Sequence, residues 1–489
     1  MKKTFVLNLL FLIGINLLIK PFYIFGIDRG VQNAVSPAAY GAYFEVFNFV
    51  FVFQILNDLG IQYFNNRHIA QYPFLLHKYF PYFLGAKAFL GVVYLALIFL
   101  LGSWVGYASE WPGLLLSLAL VQVSSSLLGY IRSNISGLGW YFADSFLSIF
   151  DKLLLVLLLG VPLWGGFFVG NFPIVWLGHA QWIALLLSLA TGLVILGKKT
   201  GLPSIRINWR LNALIFKKSL PYAIAVALMA VYNRADVVLI GRLLSDGQTL
   251  AGHYAAAYRL LDAVNMVGVL FAGLLLPMYA KLERDKAALG QLAETALRIL
   301  WSGVLVFVPI SVVFGQFIME GLYDDTTPYS GFLLGCLMIA FIPLSGGYIF
   351  STLLLATGHQ GKLNWVYLAV VGFNILFNLV IIPLLGVSGA AAIAAMTQVL
   401  AFLGVLYGCW KWERVTILRV LWYKFSILGL VSGFSAWFFR ENLFERSGWA
   451  AVLPPLAIGI AGVFLLRILT RSDFVAIRGG GSGIRQRFS

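Results

Sequence analysis

Of the 489 residues, 61% are hydrophobic, 16% aromatic and only 11% charged, whereas about a quarter of the residues in soluble domains carry charge. The chain therefore belongs in a bilayer, and its net charge of +15 must be concentrated on little polar surface. No soluble stretch is long enough for a nucleic-acid-reading module, and Cys336 and Cys409, the only cysteines, lie in apolar runs that exclude a disulfide framework or a zinc spacing.

A membrane helix needs about 20 mostly apolar residues. Runs of that kind occur at 5–27, 39–63, 80–101, 112–131, 145–163, 172–196, 219–240, 253–280, 297–318, 331–357, 363–384, 387–409, 417–439 and 450–469, which predicts an all-α polytopic membrane protein with about 14 transmembrane helices. The first run follows Met1-Lys2-Lys3 but is too long for a signal-peptide core and has no small-residue cleavage site before Lys20, so it reads as a retained helix. The longest polar interruption, 197–218, mixes Arg206, Arg210, Lys217 and Lys218 with Trp209, Leu211, Leu214, Ile215 and Phe216. That mixture suits an amphipathic helix on the inner membrane surface. It divides the chain into an N-lobe of six spans (1–196), the linker (197–218), a C-lobe of six spans (219–409) and a final pair with a basic tail (410–489).

Lys and Arg alternate between loops. One side of the membrane collects 25 of them, including Lys198, Lys199, Lys281, Lys286, Lys411 and the tail from Arg467, whereas the other holds Arg29, Arg242, Arg440 and Arg446 beside eight acidic residues. Basic loops stay inside, so both termini are expected in the cytoplasm. A weak internal echo accompanies the two blocks: Pro37-Ala-Ala-Tyr-Gly-Ala-Tyr43 opens span two, and Thr249-Leu-Ala-Gly-His-Tyr254 opens span eight.

Tyr232-Asn-Arg-Ala-Asp236, Leu239-Ile-Gly-Arg-Leu-Leu244, Gly252-His-Tyr254, Ala257 and Arg259 resemble the span seven to eight signature of bacterial polysaccharide transporters, the O-antigen and capsule flippases of the multidrug/oligosaccharidyl-lipid/polysaccharide exporter superfamily. Asn57-Asp-Leu-Gly60 with Arg67 and Ala70, and Gly358, Asn374, Asn378, Ile382-Pro383 and Gly386-Val-Ser-Gly-Ala-Ala391, resemble further parts of the same pattern. The resemblance implies two pseudo-symmetric six-helix lobes around a V-shaped central cavity whose mouth alternates between membrane faces. It also implies an undecaprenyl-diphosphate-linked glycan as cargo, moved from cytoplasm to periplasm across a bacterial inner membrane. Polysaccharide polymerase or assembly proteins are its candidate partners, and a proton or sodium ion its candidate coupling ion.

Ten charges remain inside the spans: Lys20, Lys87, Lys152, Arg234, Arg259, Glu45, Asp58, Asp151, Asp236 and Asp262. Left unpaired toward lipid they would cost roughly 25 to 35 kcal/mol, so they pair, snorkel or face water. Arg259 and Asp262 share a helix face and can neutralise each other. Lys87 and Lys152 lie within snorkelling reach of the inner headgroups, and Asp58 can cap a helix end. Lys20 and Arg234 occupy the first helices of the two lobes. Together with Arg259, Lys87 and Lys152 they are the candidates for holding a diphosphate, because Arg and Lys replace its hydration. Glu45, Asp236 and Asp262 are the candidates for ion or proton coupling.

A lipid II flippase and a multidrug or cation antiporter of the same superfamily are the rival readings. Interior basic residues and the extra C-terminal pair weigh against the antiporter. A membrane glycosyltransferase or polymerase would need a sizeable outer loop, and the outer loops are short. No nucleotide-phosphate loop is present, and His68, His77, His179, His253 and His359 stand at no ligand spacing. Neither catalysis, a metal nor a cofactor is expected.

Overall fold

The computed structural model describes residues 18–19, 21–62, 65, 76–166, 172–200, 206, 208–282, 284–415 and 419–469, and no strand occurs among them. A π-helical turn, Tyr23–Asp28, leads into α1 (Arg29–Ala34) and α2 (Pro37–Val52). There follow α3 (Leu76–Val105), α4 (Tyr107–Glu110), α5 (Pro112–Gly137), α6 (Tyr141–Trp164), α7 (Ile174–Thr200), α8 (Trp209–Leu243) and α9 (Gly247–Lys281). The remainder is α10 (Lys286–Val313), α11 (Gly315–Leu322), α12 (Ser330–Ala356), α13 (Gln360–Glu413), α14 (Arg419–Ser447) and α15 (Leu453–Leu465).

Ten helices among the described residues are long and apolar enough to cross a membrane. They take in the runs expected as spans three to twelve and fourteen, with eleven and twelve joined in α13. The two meet at Gly386, whose φ of 62° and ψ of −147° form a backbone conformation open essentially to glycine alone. Spans two and thirteen are helical as α2 and α14 but fall outside that set, and most of span one lies outside the described residues. The helix of span seven, α8, starts at Trp209, inside the stretch expected as a linker.

The described residues fall into two compact units. One comprises those up to Arg259, with 323–325 and 375–387; the other comprises 260–322, 326–374 and those from Ser388 onward. Small residues admit the closest helix approaches in the first unit, since helices without a hydrophobic drive between them associate by packing. A Cβ on Gly178 of α7 would lie 2.3 Å from Ser117 Oγ of α5, and a Cβ on Gly102 of α3 would lie 2.7 Å from Leu115.

The echoing segments meet in the same unit. A Cβ on Gly41 would sit 1.7 Å from the Gln248 carbonyl oxygen, and a Cβ on Gly252 would sit 2.0 Å from that of Pro37. The first turns of α2 and α9 are thus pressed backbone to backbone by reciprocal glycines. Ser36 caps α2 by accepting from the Ala39 N–H at 3.2 Å, with Pro37 at the first helical position.

In the second unit, Trp301 of α10 is the packing centre. Its indole N–H donates to Ser345 Oγ at 3.1 Å, and its ring meets Phe402, Trp422 and Phe425 at centroid distances of 5.7, 5.6 and 5.2 Å. Trp422 and Phe425 seat α14 on α10. At the start of α10, buried Glu413 pairs with Lys286 and lies 2.9 Å from His359 Nδ1.

Candidate functional site

Within the first unit, a cavity of about 210 Å³ is lined from α2 by Tyr43, Phe47 and Phe51, with Gln54 beyond the helix end. Helix α5 adds Gln122 and Ser125, α6 adds Asp151 and Lys152, α7 adds Gln181, and Tyr23 and Arg259 complete the polar lining. The three α2 aromatics recur every four residues, so they share one helix face. Their rings stack at 6.0 Å from Tyr43 to Phe47 and again at 6.0 Å from Phe47 to Phe51, tilted by 27° and 28°.

Two of the five predicted cations therefore meet in one cavity, each beside an acid. Lys152 Nζ lies 3.2 Å from Asp151 Oδ2 and 5.0 Å from the centre of the Tyr23 ring. Arg259 Nε lies 2.9 Å from Asp28 Oδ2 and donates to the Tyr40 hydroxyl at 3.0 Å, while Tyr40 donates to Asp28 at 2.8 Å. The Arg259 guanidinium also sits 4.9 Å from the Phe44 ring centre, an orientation that the negative face of the ring favours. The cavity presents positive charge already balanced by fixed carboxylates, so an entering anion shares the cations with Asp28 and Asp151.

Arg234 is not part of the lining. It stacks on Phe51, which is, and on Tyr258, at 5.3 and 4.9 Å. Lys87 also stands outside the cavity. Fully buried, it pairs with Asp58 and reaches Ser126 Oγ and the Asn57 carbonyl. This ammonium binds the end of the 3₁₀ turn Gln54–Asn57 that interrupts span two, where left-handed Leu59 and Gly60 follow. Lys20 lies outside the described residues.

The candidate coupling carboxylates separate. Glu45, 1% exposed, lies 3.0 Å from Arg242 Nε and accepts from the Tyr107 hydroxyl at 2.7 Å. Arg242 grips Glu110 with both terminal nitrogens, at 3.0 and 3.1 Å, over the Tyr107 ring. Burial, ahead of the adjacent Glu45 carboxylate, pushes the Tyr107 phenol well above its ordinary range, which keeps it a donor. Gly241 makes room for this group, since a Cβ there would lie 2.1 Å from the Glu45 carboxyl carbon. Asp236, also 1% exposed, accepts from Tyr254 at 2.5 Å and from the Val237 N–H at 3.1 Å. Asp262 is half-buried on α9 in the second unit. A carboxylate against Arg259 that helical spacing does not suggest is Asp28.

Reading the sequence as spans and loops missed Asp28, Arg242 and Gln181. Asp28 falls one residue past the expected end of span one, yet helical backbone continues through it to Ala34 and leaves it 1% exposed. The first helix-start signal after this stretch, Ser36-Pro37, was the available sign that helix could run past Asp28. Among the described residues, no three His, Cys, Asp or Glu side chains converge as metal ligands.

No curated protein sequence matches the chain. Solved structures share its fold. The lipid II flippase MurJ in an inward closed conformation matches with a TM-score of 0.70 at 12% identity, over 94% of this chain and 100% of that one. An inward-facing multidrug resistance MATE family transporter of the MOP superfamily matches at 0.60 and 13%, over 79% and 93%. A MOP superfamily transporter from Pyrococcus furiosus, described as having a binding pocket of reverse polarity, matches at 0.55 and 15%, over 83% and 95%. The fold is thus that of flippases and transporters, and the profile of a family described as polysaccharide biosynthesis protein matches residues 8–283, more than half of the chain. The chain is a member of that polysaccharide biosynthesis protein family.

Proposed function

We propose that the protein is a flippase that moves undecaprenyl-diphosphate-linked oligosaccharide from the cytoplasmic to the periplasmic leaflet of a bacterial inner membrane by alternating access, for cell-surface polysaccharide assembly. The observation that carries this reading is the convergence of Lys152 and Arg259 on one cavity in a member of a polysaccharide biosynthesis family. Guanidinium and ammonium groups replace the water around a diphosphate, while the lipid tail stays among apolar helix faces. An inside-negative potential favours the direction: two negative charges moved outward gain about 4 to 5 kcal/mol per 100 mV. The reciprocal approach of Gly41 and Gly252, in segments that echo each other, supports two lobes related by pseudo-symmetry, with their division in the linker region. Glu45, Asp236 and Asp262 are the groups through which a returning proton or sodium ion would act.

Lipid II is the second candidate cargo, favoured by the likeness to MurJ along nearly the whole chain. Headgroup translocation in proteoliposomes tests both. The wild-type protein is expected to flip a lipid-linked oligosaccharide faster than lipid II, and Lys152→Ala with Arg259→Ala is expected to abolish flipping. Normal translocation by the double variant would remove the cationic-cavity argument.

A further inference from the structure

The two ends of the long helix α13 come together within the second unit. His359, which precedes the helix, stacks on Trp412 near its end, with ring centres 5.9 Å apart and planes 9° from parallel, and its Nδ1 lies 2.9 Å from Glu413. Glu413 is 1% exposed and also pairs with Lys286, so that carboxylate is committed to its own neighbours. Lys362, Lys411 and Arg414 are exposed, and among the described residues none of them has an acid within ion-pair distance.

The preference of basic residues for the inner face explains the sign of this patch. Cations also suit a helix C-terminus, which covers Lys411 and Arg414. It does not cover Lys362, which stands in the first turn of α13, where the helix dipole disfavours a cation. The Lys362 ammonium lies 5.3 Å from the Trp412 ring centre and that of Lys411 5.4 Å from the Tyr407 ring centre. Each is thus steadied by an aromatic ring and keeps hydrogen-bond donors for a further group. Trp365 and Trp410, 73% and 57% exposed, follow Lys362 by three residues and precede Lys411 by one, at a depth where indole rings favour the headgroup level. Unbalanced cations beside exposed indoles match an anion carried on a lipid. A dissolved anion has no use for the indoles, and a neutral lipid leaves the cations unbalanced.

We infer that the paired ends of α13 form a binding site for an anionic phospholipid of the inner leaflet, whose phosphate reaches Lys362, Lys411 and Arg414 while its glycerol lies at the level of Trp365 and Trp410. The inference rests on the inside orientation of the basic loops and on no property of the cargo. By joining the start of span eleven to the end of span twelve, such a lipid stabilises the second unit as a resident of its surroundings, distinct from anything the protein transports.

The affinity of the purified full-length protein, in neutral detergent, for dioleoylphosphatidylglycerol and for dioleoylphosphatidylcholine tests it. The wild-type protein is expected to bind the anionic lipid about tenfold more tightly than the neutral one. Lys362→Gln with Lys411→Gln is expected to lower that ratio about fivefold, whereas Lys78→Gln with Lys424→Gln, which removes the same charge at other basic positions expected on the same side, leaves it within about twofold. Lys362 and Lys411 are exposed, so their replacement spares the fold, and the wild-type comparison needs no variant. Equal affinity for the two lipids overturns the site. So do equal losses in the two double variants, which would make the preference a matter of overall charge. Displacement of phosphatidylglycerol by an equal concentration of inorganic phosphate would assign the patch to a dissolved anion and overturn the lipid reading too. Any of these failures leaves the flippase reading untouched, since no lipid-linked glycan enters the measurement.

Discussion

Arg259 Nε lies 2.9 Å from Asp28 Oδ2, joining a residue of α9 to one at the end of the π-turn 231 positions earlier. The Asp28 side chain is 2% exposed and that of Arg259 14%, so water does not relieve the Asp28 charge and relieves that of Arg259 only where it lines the cavity. Removing one partner of such a pair leaves the other buried and costs about 3 to 5 kcal/mol, whereas neutralising both together costs far less. Thermal unfolding in detergent is therefore expected to show large losses for Asp28→Asn and for Arg259→Gln alone, and a smaller loss for the double variant than the sum of the two. Strict additivity would mean that the pair is not coupled.

Arg242 offers an internal contrast, because it holds two carboxylates of unequal exposure. Glu45 has a side chain 1% exposed, and Glu110 one 43% exposed. Exposed pairs contribute about 1 kcal/mol or less, so Glu110→Ala is expected to shift unfolding only slightly. Arg242→Ala strands Glu45 and is expected to destabilise by about 3 kcal/mol or more. Equal losses in the two variants would show that Glu45 does not depend on Arg242.

The reciprocal glycines set a steric limit. Gly41→Ala and Gly252→Ala each place a methyl group within 1.7 or 2.0 Å of a backbone oxygen, which only separation of the α2 and α9 first turns can relieve. Overpacking of this kind costs about 1 to 3 kcal/mol. Gly303→Ala, whose Cβ would have nothing within 4 Å, is the matched control and is expected to be neutral or mildly stabilising, since alanine is the better helix former.

Lys87 and Lys152 are one residue type in two different settings. Lys87 is fully buried on Asp58, whereas the Lys152 side chain is 30% exposed and lines the cavity. Lys87→Ala is expected to lower the unfolding temperature while the folded fraction keeps its affinity for undecaprenyl diphosphate. Lys152→Ala is expected to do the opposite, weakening that affinity about tenfold with little change in unfolding. A shared phenotype would remove the distinction between the structural and the ligand-facing lysine.

Much of this was legible before any coordinates. Membrane residence followed from composition, because lipid tolerates only closed backbone hydrogen bonding and long apolar runs supply it. Most span positions followed from run length. The break between spans eleven and twelve could be placed near Gly386, since only glycine adopts the backbone turn found there. The likeness of the Gly41 and Gly252 segments was visible in their composition alone. The number of charges that the membrane must hold was likewise open to simple counting, with its consequence that they pair or face a cavity.

Partnership among those charges was decided only by the tertiary structure. Helical spacing places Asp262 one turn from Arg259 on the same face, but only the packing of distant helices brings Asp28 to the guanidinium as well. Lys87 and Lys152 both read as basic residues seven positions from a span end, but packing buries one on Asp58 and opens the other to a cavity. A one-dimensional pattern records which residues share a face of one helix. It carries no term for which faces of different helices meet, and for charges in a low dielectric that meeting fixes the energy and therefore the role.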